Sequence, residues 1–599
     1  MRKRNLMAVF ATGMVLGVGA AACGIAGSAN SNSESNSAAD ESSTETEESA
    51  VAADTASNTA TLATADVDTS TIGAVTKVSD LDLENMFTDR DIDTGYDESQ
   101  SAVITLNGDS AEGTGSGFSI DGTTITITEE GTYIFKGSLS DGQIVIEADD
   151  AAKIQIVLNG VDITNDDSAC IWVKSADKVF VTLAAGSDNT LSDTGAEYVQ
   201  TDDSSNVDGV IFSKDDITFN GSGTLTINAS YANGIVGKDD VKFTSGTYNI
   251  SATGNAIEGK DSVRIKDGTF NLNSGKEKDG IHTSNEEDAG KGYIYIEGGD
   301  LSISAQDDGI HAATVLYIAG GNIDVTESYE GLEGDTIDIL GGNIKLKASD
   351  DGLNASTSTS QDEFGFGNMG GGMEYDENAY IHIYGGELYV NADGDGIDSN
   401  GDLYVDGGYV VVDGPEQDMN GSLDTGGNAY IYGGTVIAVG SSGMVENFSS
   451  ESGQYSVKYG FESTLEAGTQ ITIADSNGNE LLSYTLTKSA VSIVYSSADI
   501  AEGDYTITAG ETSDTFTVSD KATSAGTESG FGPGMGGGHG QMPDGERPEF
   551  KEGEMPELPD GEMPDFENGE MPQPPSGGMP QSSDGNGVDA STQDSTDPN

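Results

Sequence analysis

One phrase recurs through the middle of this chain and limits what it can fold into. It reads Asp279-Gly-Ile-His-Thr, Asp308-Gly-Ile-His-Ala, Glu330-Gly-Leu-Glu-Gly and Asp351-Gly-Leu-Asn-Ala. Weaker copies precede it at Asp208, Asn233 and Asn255, and another follows at Asp395. Successive copies stand 25, 22, 24, 29, 22, 21 and 44 residues apart. A near-constant period of this length signals stacked repeats. The longest step is two coils, or one coil carrying an insert.

Within each repeat, short runs of Ile, Val and Leu alternate with polar residues, the pattern of strands buried on one face. Asp-Gly and Gly-Gly pairs separate the runs and mark turns where positive φ is cheap. Three short strands and three turns make one coil of a parallel β-helix. A single coil cannot bury its apolar face. Stacking does so, and pairs each backbone N–H and C=O with the next coil. The alignment predicts interior columns, one of Ile296, Ile318, Ile339, Ile383, Val405 and Ile431, another of Ile281, Ile310, Leu332, Leu353 and Ile397.

Met1 to Ala22 reads as a signal peptide, with Arg2, Lys3 and Arg4 ahead of an apolar run. It ends Ala20-Ala-Ala-Cys23, which resembles a bacterial lipobox and makes Cys23 the expected lipidation site, with ordinary signal cleavage as the alternative. No other stretch is long and apolar enough to span a membrane. Residues 23–75, rich in Ser, Thr and acids, form a disordered stalk in this reading. Residues 76–200 hold N-terminal β coils and a cap. Residues 201–450 hold the regular coils, with a loop insert at 355–378. Residues 451–520 form a C-terminal β cap or small sandwich. The tail 521–599 repeats Gly-Glu-Met-Pro and is expected to be disordered. Localisation follows: an extracellular, lipid-anchored protein on a Gram-positive-type cell surface.

Charge narrows the partners. The net charge is −78, and the tail holds only sixteen of the acids. A body so acidic lacks the basic footprint of a nucleic-acid binder, and would meet anionic polymers only through cations. Cys170, in Ala169-Cys-Ile-Trp-Val, reads as a buried, inert thiol.

In stacked coils, equivalent residues lie ~4.8 Å apart. Asp279, Asp308, Glu330 and Asp351 would therefore stack in one line, Asp307, Asp350 and Asp393 add a second acid to several turns, and Asp395 stands in the downstream copy of the phrase. Like charges at that spacing repel by roughly 1 kcal/mol in water and by more where partly buried. A counter-ion is called for, and Ca²⁺, with oxygen ligands at ~2.4 Å, spans two coils. Those eight residues are the candidate ligands. Zinc is disfavoured, because the clustered ligands are oxygens and no Cys joins them. The alternative is that Asp-Gly is turn chemistry alone.

Two outward columns could meet a polysaccharide. One runs Glu258, His282, His311, Glu333, Asn354, Asp398, polar throughout and able to bond sugar hydroxyls or help hold metal. The other runs Arg264, Tyr295, Tyr317, Asp338, His382, Tyr404, Tyr430. Rings are good platforms for the apolar face of a sugar, although cross-strand Tyr pairs also stabilise a sheet. His282, His311, Glu333, Tyr295, Tyr317, Tyr404 and Tyr430 are the candidate carbohydrate residues.

The repeat, together with Val157-Leu-Asn-Gly-Val-Asp-Ile-Thr, resembles a family of secreted clostridial and related bacterial proteins called carbohydrate-binding domain-containing proteins. The resemblance covers roughly residues 75–450 at fold level. It implies a right-handed parallel β-helix like that of pectate lyases, bound calcium, and binding to cellulose- or pectin-like polysaccharide. Pectate-lyase activity is the runner-up function, and a calcium-stiffened structural rod or adhesin a third. A lyase of that type needs an Arg or Lys base beside calcium, and Arg264 is the only Arg in the coil region. The expectation is a non-catalytic binder.

Overall fold

A computed structural model describes residues 78–200, 206–357, 375–417 and 419–527. The signal peptide, Cys23, the stalk, most of the 355–378 insert and the tail beyond 527 lie outside the described residues. Among the described residues no helix is long and apolar enough to cross a membrane.

The structure is nearly all β and built on one long, parallel-rich sheet. Its pairing follows a rule: through most of the repeats each strand bonds to the strand three places later in the chain. Three parallel ladders result. The first carries the strands that follow the Asp-Gly turns: Asn233–Gly237, Ile257–Gly259, Ile281–Thr283, the start of Ile310–Ile318, the start of Leu332–Ile339, Leu353–Ala355, Ile397–Ser399 and Asp424–Thr425. The second continues through Ser262–Ile265, Tyr293–Ile296, Tyr380–Ile383, Asp402–Val405 and Ala429–Ile431. Ile310–Ile318 and Leu332–Ile339 are unbroken strands that serve both ladders. The third runs from Thr269–Asn273 through Asp300–Ser304 and Asn322–Ser328 to Thr435–Gly440.

The register matches the alternation in the sequence. Ile296 faces Ile318, then Ile339, Ile383, Val405 and Ile431 in successive coils. Ile281, Ile310, Leu332, Leu353 and Ile397 stack likewise. These residues are essentially inaccessible to solvent and belong to one continuous apolar core. Each such side chain contributes roughly 1.5–3 kcal/mol by leaving water. Near the start of the regular coils, aromatics fill the same core: Phe219 stacks on Phe243 at 4.9 Å and Tyr248 on Phe270 at 5.0 Å.

Glycine plays two roles, of which the sequence reading recognised one. The second Gly of the Gly-Gly pairs that lead into the third ladder does take positive φ, as at Gly321 (103°) and Gly342 (101°). The Gly of the recurring Asp-Gly-Ile or Asp-Gly-Leu phrase, as at Gly280, Gly309, Gly352 and Gly396, does not. It is needed for close approach: a Cβ on Gly309 would lie 2.6 Å from the Gly331 carbonyl oxygen, and one on Gly331 2.4 Å from that of Gly352. The coils pack backbone on backbone at this corner.

Both ends differ from the middle. At the N-terminal end, a segment with a short 3₁₀ turn, Val78–Asp80, and one α-helical turn, Asp89–Ile92, precedes the first strand, Ala102–Gly108. At the other end, Ala490–Ser496 pairs antiparallel with Thr435–Gly440 and covers the open edge of the third ladder. Beside it lies a separate four-stranded antiparallel sheet of Gln470–Asp475, Glu480–Thr485, Gly503–Ala509 and Thr512–Val518. A last strand, Ala522–Gly526, pairs with Ser456–Gly460, so order extends past residue 520, where the sequence placed the start of the tail.

Candidate functional site

The first ladder builds a polar stripe at its Asp-Gly corner. From Asn233 to Asp395, each acidic or amide side chain of the turn column except Glu330 accepts a hydrogen bond from the backbone of the next coil. The N–H of Asn255 donates to Asn233 Oδ1 (2.7 Å), that of Asp279 to Asn255 Oδ1 (2.9 Å), and that of Asp308 to Asp279 Oδ1 (3.0 Å). The N–H of Glu330 donates to Asp308 Oδ1 (3.2 Å) and that of Asp395 to Asp351 Oδ1 (2.6 Å). Gly421 donates to Asp395 in the same way. Asn233 and Asn255 perform this capping without charge. The cap therefore does not require a carboxylate. The charge at 279, 308, 351 and 395 needs another reason.

That reason lies beside the turn column. Glu258, His282, His311, Glu333, Asn354 and Asp398 stand in register on successive strands, as the sequence predicted, and Asp424 extends the column by one coil. The stripe has two chemically distinct halves. In the later half, Asp351, Asp395 and Asp398 offer ligand oxygens within 4.8 Å of one another. Burial, then repulsion among Asp351, Asp395 and Asp424, pushes Asp398 up to about 9. Burial also lifts Asp351 and Asp395 to about 7, against the pull of their backbone hydrogen bonds. Asp398 Oδ1 and Asp424 Oδ2 are buried with no hydrogen-bond partner. An all-oxygen donor set with orphaned buried oxygens fits a hard cation such as Ca²⁺.

In the earlier half the two histidines enter. His311 Nδ1 lies 2.6 Å from Glu333 Oε2 and 3.1 Å from Asp308 Oδ2. Burial opposes its charged form, but these two carboxylates hold its imidazolium well above the usual range. Asp307 joins Asp279 and Asp308 in a group of oxygens within 4.8 Å. Glu330 is lifted by burial and by Glu333 and Asp308 to about 9, and its Oε2 is buried without a partner.

Two of the eight candidate ligands stand apart. Asp393 is exposed and bonds Lys488 Nζ at 2.7 Å, so it faces the C-terminal cap. Asp350 is engaged by the Tyr329 hydroxyl. Another acidic group, Asp216, Asp239 and Asp240, has cations interleaved: Lys178 and Lys242 reach Asp216, and Lys242 and Arg264 reach Asp240. It is an ion-pair network.

The tyrosine column is in register, but its ends have different fates. Tyr295 and Tyr317 stack at 5.6 Å and are only 7% and 9% exposed. They lie under the N-terminal segment, packed by Met86 and by Phe87, Leu83, Leu81 and Val78. The expectation that these two rings face a sugar is thus corrected: apolar residues of the chain itself cover them. Farther along, Tyr404 and Tyr430 stack at 5.4 Å and remain partly open. Tyr432 lies beside Tyr430 at 6.4 Å, and His382 stacks on Tyr384 at 3.7 Å and meets Tyr404 at 5.4 Å. Tyr384 and Tyr432 are 44% and 52% exposed. The result is a line of rings running along the coils, edged by Asp402, which accepts from the Tyr404 hydroxyl (2.8 Å), and Asp406, 3.0 Å from His382 Nε2.

A family model for a carbohydrate-binding domain-containing protein matches residues 121–363. Over 212 residues the chain is 42% identical to a carbohydrate-binding domain-containing protein of Acetivibrio thermocellus, covering 35% of this chain and 73% of the relative. The chain belongs to this family. A solved structure described as the polysaccharide lyase-like protein from C. thermocellum, gadolinium derivative, is 33% identical, with a TM-score of 0.37, covering 42% of this chain and 93% of that one.

The match to the carbohydrate-binding domain-containing family takes in the histidine half of the stripe. Asp395, Asp398, Asp424 and the open ring line lie beyond its last residue. Sequence reading missed Tyr384, Tyr432 and Asp424. The first two sit two residues after His382 and Tyr430, on the same outward face. The period of two that defines a strand would have found them. Asp424 carries no such signal, because its coil lacks the Asp-Gly-Ile phrase.

Proposed function

We propose that this protein is a non-catalytic binder of an extended plant-wall-type polysaccharide, cellulose- or pectin-like, held at the cell surface and stiffened by calcium. The fold that goes with this reading is a right-handed parallel β-helix, supported by the three parallel ladders. The line of rings at His382, Tyr384, Tyr404, Tyr430 and Tyr432 carries the proposal. Rings on successive coils stand 5.4 Å apart, His382 to Tyr404 and Tyr404 to Tyr430, close to the length of one hexose in a glycan. The family's name speaks for carbohydrate, and the open rings give a surface to hold it.

Arg264 weighs against a lyase. Its guanidinium is spent on Asp240 (2.6 Å) and on the Met86 carbonyl (3.2 Å). It does not serve as a free base beside the carboxylate stripe.

Pull-down on insoluble cellulose tests the site. Replacing Tyr404 and Tyr430 with Ala is expected to weaken binding by about 1 kcal/mol per ring, hence more than tenfold together. Tyr295→Ala and Tyr317→Ala should not change affinity while the covering segment stays in place. Unchanged binding in the Tyr404/Tyr430 double variant rules out the ring line. An acidic glycan such as polygalacturonate should bind only when calcium bridges the two sets of carboxylates.

The anchor is a separate proposal. The signal-like segment ends at Cys23, and lipid on that thiol would tether the chain to the membrane. Cys23→Ala should move the protein from the membrane fraction to the medium. Retention equal to wild type rejects the anchor.

A further inference from the structure

Consecutive coils spell the same four residues, Asp279-Gly-Ile-His282 and Asp308-Gly-Ile-His311. Stacking in register therefore brings two carboxylates and two imidazoles together, with Glu333 from the coil after. The ligand atoms of Asp279, His282 and His311 lie within 4.8 Å of one another, and the two imidazole centroids are 4.9 Å apart. His282 Nδ1 sits 2.7 Å from Asp279 Oδ2, yet it is buried and makes no hydrogen bond. That leaves a buried imidazole nitrogen beside a carboxylate with no hydrogen bond to satisfy it.

His311 is oriented from its other side. Its Nδ1 faces Asp308 and Glu333, which leaves Nε2 as the free donor. Metal-bound histidines commonly give their second ring nitrogen to a carboxylate in this manner.

We propose that this pair of coils holds one divalent transition ion of the zinc class, ligated by His282, His311 and Asp279, with Asp308 and Glu333 positioning His311. The site is distinct in chemistry from the all-oxygen group at Asp351, Asp395 and Asp398. Imidazole suits Zn²⁺, Co²⁺, Ni²⁺ and Cu²⁺, whereas Ca²⁺ takes oxygen ligands. The stripe thus sorts ions along its length, hard cation at one end and borderline cation at the other. The earlier expectation against zinc counted oxygens and the absence of Cys, and assigned the histidines to sugar. Register places both on one corner with the acids. Zinc–ligand bonds of ~2.0–2.2 Å put neighbouring ligands about 3.4 Å apart around a tetrahedral ion. Small side-chain rotations from the observed spacing achieve that.

The test uses the full chain, stripped of metal by chelator and then saturated with Ca²⁺ so that all-oxygen sites are filled. Co²⁺ titration should then give visible d–d absorption that saturates at one ion per chain, and Zn²⁺ should abolish it. His282→Gln with His311→Gln should remove the band while the bound calcium count and the far-ultraviolet β signal stay unchanged, since the capping carboxylates remain. Glu333→Gln, a positioning change, should weaken Co²⁺ by ~10–100-fold and leave the band shape intact. A wild type without a saturable Co²⁺ band in calcium overturns the proposal and leaves the histidines as ion-pair partners of the acids. So does a band that survives the double substitution. Should the double variant misfold, the wild-type band and its displacement by Zn²⁺ decide.

Discussion

Stripped of divalent cations, the folded body is expected to melt at a lower temperature at pH 8 than at pH 5. Asp351 and Asp395 titrate at about 7 in the fold and Asp398 at about 9, all raised first by burial and then by neighbouring carboxylates, Asp424 among them in each case. An unfolded carboxylate titrates near ~3.9. A raised folded value means that the fold favours the protonated form. The associated stability is complete below about pH 4 and is lost as pH climbs through 7 toward 9. Calcium should reverse the trend, because it holds the ionised carboxylates that the bare fold resists. At 100 times its Kd, each bound ion adds about 2.7 kcal/mol, roughly 3 °C for a body of this size. The gain should be larger at pH 8, where ions do not compete with protons. Asp398→Asn should raise the chelated melting temperature at pH 8 and shrink the calcium response. Asp351→Asn should do the same without loosening the turn, since its amide oxygen still caps the Asp395 N–H, as Asn255 caps Asp279. A melting curve in chelator that is flat between pH 5 and pH 8 would show that the acid column has no need of a cation.

The repeat and its register could be read directly from the chain, because one residue of slip would turn every Ile of a strand from core to solvent. The columns through Ile281 and Ile296 pair as the alternation required. What the alternation does not encode is which outward residues stay outward. Val78 to Asp93 has no period, and its partners are remote in sequence: Thr218 and Asn220 for Asp91, Arg264 and Tyr293 for Met86. Its docking over Tyr295 and Tyr317 is a tertiary event with no local signature. The strand Ala522–Gly526 escaped for a related reason. Ala-Thr-Ser-Ala-Gly has few of the β-branched or aromatic residues that mark strands, and it is held by pairing along Ser456–Gly460. The acid column was legible as a column. Its capping role was not, because a carboxylate and an amide look alike to a backbone N–H only once the coils are stacked.

Asp91→Ala is expected to free the segment that hides the first tyrosines. Asp91 is fully buried and accepts from Lys178 Nζ (2.8 Å), from the Thr218 hydroxyl (2.8 Å) and from the Thr88 N–H (2.8 Å), closing the cap of the single helical turn. Burial alone would raise its titration. Its bonds, that to Lys178 foremost, overcome this and hold it at about 2. This folded value is depressed, so its contribution is present above pH ~4 and fades only as pH falls toward 2. Its sign is opposite to that of the Asp398 group. Removing one partner of a buried pair costs ~3–5 kcal/mol. The continuous core does not pass through this segment, so the loss should be local. Hydrogen-exchange protection and protease resistance should fall over residues 78–93, while the body melts nearly as before. Release would uncover Tyr293, Tyr295 and Tyr317. The outward column would then run Tyr295, Tyr317, Asp338, His382, Tyr404, Tyr430 without a cover. If the ring line binds glycan, Asp91→Ala should bind cellulose at least as tightly as wild type and restore part of the affinity lost in the Tyr404/Tyr430 double variant. Unchanged protection over 78–93 would place the grip of the segment in Met86 and Phe87. Released protection with weaker cellulose binding would mean that the segment is itself part of the binding surface.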